Sequence, residues 1–358
     1  MTEALLMPAA AGIPEPPAAH PRHGTAELEM SLSPAELERL RAAAEHCVAA
    51  GVVADAEEFA MRALAGTAAL PAPLLEGLRA FRRYGSPVGG LLVRGCPTFD
   101  VPRTPEDPTA AVGTTLTAAG VFGIVTAVVG DQYGFEPELG GNIIQDVVPV
   151  RGFEYTQQSV SSAEELYSHV ESAFTEDRPD FVALLCLRAD HDRVAATTLS
   201  PVERIMPLLS RHTVEILREP RFTTTVDASF LQGLGTAEPI RVGPIRVLSG
   251  SLERPRVRAD FAETTGLDGE AQEALDELRR CADEVAITVL LEPGDLLFVD
   301  NHRAFHGRTP YRARWDGADR WLLRTSVTRD LSRSEARRPF DGRIVDTDYS
   351  RGENVLRG

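Results

Sequence analysis

His169 and Glu171 stand two residues apart in the stretch Leu166 to Phe174, and far down the chain they are answered by His306, Arg320 and Arg324. No single local element unites such positions, so a chain that uses them together must bring distant strands to one point. Alternate side chains of a strand share a face, which lets His169 and Glu171 reach one ion if the segment is extended. The second imidazole has to come from another strand. The turn signal Leu291 to Asp295 and the apolar run Leu296 to Val299 predict a buried strand, with Asp300 to Phe305 leading to His306. Two imidazoles and one carboxylate on one face of an octahedral ion leave three positions open, the pattern of non-haem iron(II) oxygenases. The expected metal ligands are therefore His169, Glu171 and His306. The open positions would take a bidentate 2-oxoglutarate and then O2.

A keto diacid of that kind needs a planar, permanently charged partner for its distal carboxylate, which arginine supplies best. Arg320 and Arg324 flank an alternating segment that continues to Val327, and their spacing puts both on one strand face. Buried guanidinium groups are costly unless paired, so two of them imply two carboxylate clients. One is expected to be 2-oxoglutarate and the other the substrate. His302 is the nearest rival to His306 but lacks the same step to Arg320. His191 falls in a polar turn between strands.

The run Asn301 to Pro310, continued through Trp315 to Arg324 and on to Leu331, closely resembles the clavaminate-synthase-like branch of the taurine-dioxygenase superfamily. Within it the likeness is greatest to hydroxylases of free amino acids in peptide-antibiotic pathways, such as the arginine and asparagine β-hydroxylases. It also takes in Gly90 to Gly95, Asp146 to Val150, Ser159 to Ser162, the His169/Glu171 pair, Asp180 to Arg188 and Ala195 to Leu199, and so spans roughly residues 85 to 335. The resemblance implies a double-stranded β-helix, or jelly roll. It implies iron(II) on His169, Glu171 and His306, 2-oxoglutarate clamped by Arg320 with help from Thr198, and a substrate α-carboxylate on Arg324. Ser159 matches a serine that touches the substrate backbone. Halogenating relatives replace the carboxylate ligand, so a chain that keeps Glu171 is expected to hydroxylate.

Substrate positions depart from the pattern. Similar arginine hydroxylases carry two acids in an Asp-x-Asp-Phe segment, and here Arg258, Ala259, Asp260 and Phe261 keep only one. Glu138 and Leu139 stand where those enzymes have a glutamine pair. Asp260, Glu138 and Arg258 are the expected side-chain contacts, and a cation at Arg258 would suit a neutral or acidic substrate. The residues from Asp227 to Gly235 are a candidate lid. Two other readings remain open: a non-catalytic protein that binds 2-oxoglutarate or an amino acid, and zinc hydrolysis with the same ligands. The zinc reading leaves both arginines without a role.

The 358 residues suffice for one large core. With 37 basic against 53 acidic residues the formal charge is −16, which disfavours nucleic acid and anionic membranes as partners. No run approaches the twenty or so apolar residues that span a bilayer. The N-terminus lacks the basic-then-apolar order of a secretory signal. Cys47, Cys96, Cys186 and Cys281 lack CxxC spacing and read as reduced thiols. A cytoplasmic enzyme with a small amino-acid substrate is expected.

Along the chain, residues 1–25 read as a disordered leader and 26–358 as one oxygenase domain. That domain divides into a helical shell (26–85), the double-stranded β-helix with insertions (86–335) and a tail (336–358). Ser33 and Glu36 form a capping box with Pro34 at the first helical position, opening a helix to about residue 50. Further helices are expected at about 54–64, 73–84, 106–130, 201–217 and 269–283. Strands are expected at 90–95, 142–150 and 181–187, within 223–260 and within 285–327. The fold class is mainly β with flanking helices.

Overall fold

The computed structural model describes residues 26–338 and 342–346, and the backbone at 355–356. The expected leader lies outside the described residues, as does most of the tail.

The strand Phe181–Arg188 shows how the sequence builds layers. Phe181, Ala183, Leu185 and Leu187 enter one apolar core, while Val182, Leu184 and Cys186 enter another. Leu296–Asp300 divides the same way, with Leu296 and Phe298 on one side and Leu297 and Val299 on the other. Strands buried on both faces read as continuous apolar runs rather than as alternation.

These strands belong to an eight-stranded sheet. Its order is Ala26–Glu29, Gly90–Arg94, Leu296–Asp300, Phe181–Arg188 and Trp321–Thr328; Asp131–Phe135 and Gln145–Val147 both pair with the last, and Ile344–Val345 closes the far edge. A four-stranded antiparallel sheet runs Ile287–Leu290, Ala196–Pro201, Ala304–Arg308, Leu166–His169. Leu199, Ile287, Val289 and Ala304 of the smaller sheet share a core with Val182, Leu184, Leu297 and Leu322 of the larger. The two sheets therefore face each other.

Helices cover the outer faces. Pro34–Val48, Ala56–Gly66, Ala72–Tyr84 and Thr117–Val129 pack on the larger sheet. Gly269–Val285, with Val202–Ile205 and Arg211–Leu217, packs on the smaller one. The capping box at Ser33 forms as expected, with Glu36 bonded back to the Ser33 backbone. Thr117–Val129 is apolar all round because it is buried all round. At Gly120 a Cβ would sit 2.2 Å from the Ala44 carbonyl oxygen, so only glycine permits that helix contact. Among the described residues no single helix is long and apolar enough to cross a membrane.

Three expected elements differ. The helix at 201–217 is broken into Val202–Ile205, a 3-10 turn at Met206–Leu208 and Arg211–Leu217. Pro207 lacks the N–H to continue it, and Ser210 caps a new start by accepting from the Thr213 N–H. The helix at 106–130 begins only at Thr117, after two 3-10 turns. Of the strand at 142–150 only Gln145–Val147 pairs.

Candidate metal centre

His306 lies on Ala304–Arg308 directly opposite His169 on Leu166–His169, so sheet register brings the imidazoles together. Their ring centroids are 4.3 Å apart. Glu171 follows just past the end of its strand, and its Oε2 lies 3.5 Å from His306 Nε2 and 4.0 Å from His169 Nε2. One donor atom from each residue lies within 4.8 Å of the others. Two atoms bound to one ion at about 2.1 Å can be at most about 4.2 Å apart, so both carboxylate–imidazole distances suit a shared ion.

Protonation states agree with that use. His169 Nδ1 lies 2.8 Å from the Tyr167 carbonyl. A proton there leaves Nε2 free as the ligand atom. Burial and the neighbouring His169 pull His306 down to about 4, keeping it neutral. Burial alone would raise Glu171, but Arg324, His306 and His169 outweigh it and hold the carboxylate well below its ordinary range. The donor set, two imidazoles with an ionised carboxylate, fits a divalent iron.

Arg324 projects from Trp321–Thr328 to the same point. It donates to Glu171 Oε1 at 2.8 Å, to Glu138 Oε1 at 2.5 Å and to Gln145 Oε1 at 2.6 and 3.0 Å. Arg320 is only 5 % exposed, yet among the described residues no hydrogen bond or ion pair meets its guanidinium. The guanidinium lies over the face of Tyr311, 5.8 Å from the ring centroid, and Arg308 lies over the same ring. Trp321 and Leu323 point towards the helices and Leu322 into the inter-sheet core, so Arg320 and Arg324 share the inner face.

A cavity of about 420 Å³ opens onto the centre. Ser159, Glu138, Asp260 and Arg324 line it with His169 and Glu171, as do Asp227 and Glu263. Burial raises Asp227 well above the ordinary carboxylate range, and Asp260, Glu171, Glu138 and Glu263 reinforce the shift. Burial likewise raises Asp260. The segment Asp227 to Gly235 forms part of this wall. Its short helix Ala228–Gly233 is anchored by Phe230 against Phe174 and Phe135, with ring centroids 4.8 and 5.3 Å away.

Two expected contacts are corrected. Arg258 does not line the cavity: it donates to the Ala173 carbonyl at 2.6 Å and pairs with Glu176. The strand Pro255–Val257 ends before it. Thr198 points outward, beside Gly307, where a Cβ would meet its Oγ1 at 2.9 Å. Thr197 takes the inner face with Leu199, opposite Arg308, and is buried. His302 is no ligand: its Nε2 lies 3.1 Å from Asp180 Oδ1. His191 is held by Asp316 at 3.0 Å.

Asn301, Asp227 and Gln145 escaped the sequence reading as individual site residues. Asn301 is fully buried and its side chain binds the Glu171 backbone. Its place in the run leading to His306 was the one available signal.

Comparison with known proteins agrees with this geometry. Residues 88–326 match the family described as taurine catabolism dioxygenase TauD, TfdA family. The chain is 42 % identical over 279 residues to L-asparagine oxygenase of Streptomyces coelicolor, covering 77 % of this chain and 82 % of that one. It is 35 % identical over 305 residues to L-lysine 3-hydroxylase of Catenulispora acidiphila, covering 85 % of each. The crystal structure of an asparagine oxygenase with Fe(II), 2S,3S-3-hydroxyasparagine and succinate superposes with a TM-score of 0.82 at 37 % identity, over 90 % of this chain and 100 % of that one. The non-heme iron oxygenase OrfP with Fe, succinate and (3S)-hydroxy-L-Arg gives 0.77 at 29 %, over the same shares. The chain belongs to the TauD/TfdA family of dioxygenases.

Proposed function

We propose that the chain is an iron(II)- and 2-oxoglutarate-dependent dioxygenase that hydroxylates an unactivated C–H, at Cβ, of a free amino acid or close derivative. The two facing sheets are, in this reading, the double-stranded β-helix of the family. The observation that carries the proposal is the convergence of His169, Glu171 and His306, with His169 and Glu171 lining the cavity beside them. The buried Arg320, without an anionic partner among the described residues, supports it.

His169, Glu171 and His306 would hold iron(II), which supplies the activation of O2 coupled to oxidative decarboxylation of the keto acid. Arg320 holds the distal carboxylate of 2-oxoglutarate, and Thr197 stands on the same inner face in the role expected of Thr198. Arg324 receives the substrate α-carboxylate while Glu138 faces the α-ammonium group. Ser159 bonds the substrate backbone.

With Arg258 turned away, Asp227, Asp260 and Glu263 dominate the remaining wall. Such a wall repels a carboxylate side chain and suits one that donates hydrogen bonds or carries positive charge. Amino acids are therefore screened for stimulated succinate release, with asparagine, glutamine, lysine, ornithine, arginine, citrulline and enduracididine set against aspartate and glutamate. At least one donor-bearing side chain is expected to stimulate release, with hydroxylated product in equal amount. Stimulation confined to aspartate or glutamate would overturn the assignment of the wall.

A further inference from the structure

The metal's carboxylate residue sits at an awkward place in the chain. The strand Leu166–His169 stops two residues before Glu171, and Ser172 immediately after it has φ 54°, in the left-handed region. The shared face of His169 and Glu171 requires extended backbone through Val170. Ladder pairing of that strand does not reach so far. One edge is held at Val170, whose N–H donates to the Ala259 carbonyl at 2.9 Å.

The other hold comes from a side chain. Glu171 N–H donates to Asn301 Oδ1 at 2.7 Å, and Asn301 Nδ2 donates to the Glu171 carbonyl at 3.0 Å and to the Pro179 carbonyl at 3.1 Å. A carboxamide offers one acceptor beside one donor, like a peptide group. Exchanging both bonds with one residue is how strands pair in an antiparallel ladder. The Asn301 amide thus replaces a strand partner for one residue, where the real strand has ended. It is wholly buried, so water cannot substitute for it. Its own backbone N–H is fixed to the Asp180 carbonyl at 3.0 Å, at the end of Leu296–Asp300.

We infer that Asn301 is a positioning residue for the metal centre, acting through the Glu171 backbone to hold the carboxylate against the two imidazoles. The inference rests on the proposed iron site. The segment that delivers His306 also carries this clasp, so one connection between the two sheets sets two of the three ligands. Losing such an outer contact costs about 10- to 100-fold in metal affinity.

The test measures Fe(II) affinity anaerobically by competition with a calibrated chelator, on the full chain and on Asn301→Ala. Thermal unfolding of the metal-free proteins is followed alongside. Asn301→Ala is expected to bind Fe(II) about 10- to 100-fold more weakly in protein that is still folded. Asn301→Ser, which keeps a short acceptor and donor, is expected to fall between, and it carries the test if the alanine variant does not fold. A lowered unfolding midpoint with unchanged Fe(II) affinity in either folded variant would make Asn301 a structural residue only and overturn the inference. If the unsubstituted chain itself fails to bind Fe(II), the proposed function fails instead, and the two failures are thereby told apart.

Discussion

Replacing Glu171 with alanine is expected to reduce substrate-stimulated succinate formation to the background seen without iron. The carboxylate is the one anionic ligand of the three, and Arg324, His306 and His169 hold it ionised despite its burial. Without it, two neutral imidazoles must hold a divalent cation whose affinity at such sites depends on ligand charge and number. The surrounding wall should survive the change. Arg324 loses the bond to Glu171 but keeps Glu138 and Gln145, so lost activity would report on the metal rather than on a collapsed cavity. Glu171→Gln tests the same point with the shape retained, and it should behave like the alanine variant. Undiminished turnover in either would refute the ligand assignment.

Arg320 carries the second large effect. A guanidinium that is 5 % exposed, beside Arg308 and without an acid among the described residues, is left for an anion to complete. Removing one member of a buried ion pair costs about 3–5 kcal/mol. Arg320→Leu should therefore raise the KM for 2-oxoglutarate by roughly 150- to 4,000-fold. Fe(II) affinity should stay close to that of the unsubstituted chain, because Arg320 touches none of the ligands. The same substitution should make the protein free of co-substrate no less stable, since it removes an uncompensated buried charge. Steady-state kinetics over a range of 2-oxoglutarate, with a thermal melt, checks both. An unchanged KM would move the anion site to another arginine.

What the sequence revealed divides along physical lines. The three candidate ligands were legible as a group the fold brings together, because their chemistry demands particular residue types and strand periodicity fixes the spacing of two of them. The helix at Pro34–Val48 was legible for a similar reason, since Ser33 and Glu36 satisfy each other within one turn. Thr198 was chosen over Thr197 although one residue reverses the face of a strand, and only the register against Arg308 and Gly307 decides which hydroxyl looks inward. Arg258 misled because it was matched by position to an acid of similar enzymes, whereas its side chain turns to the Ala173 carbonyl and Glu176. Pro207 and Ser210 split a helix whose apolar spacing alone looked continuous. Asn301 was beyond reach as an anchor, because its partner is a backbone group distant in sequence and nothing in the spacing of side chains points to it.

The central claim is that His169, Glu171 and His306 grip one iron ion. Anomalous diffraction at the iron edge, from crystals grown anaerobically with Fe(II) and 2-oxoglutarate, tests it most directly. One strong peak is expected within bonding distance of His169 Nε2, His306 Nε2 and a Glu171 carboxylate oxygen, with the keto acid's far carboxylate on Arg320. A peak held by other side chains, or none at this position in crystals shown to contain iron, would contradict it.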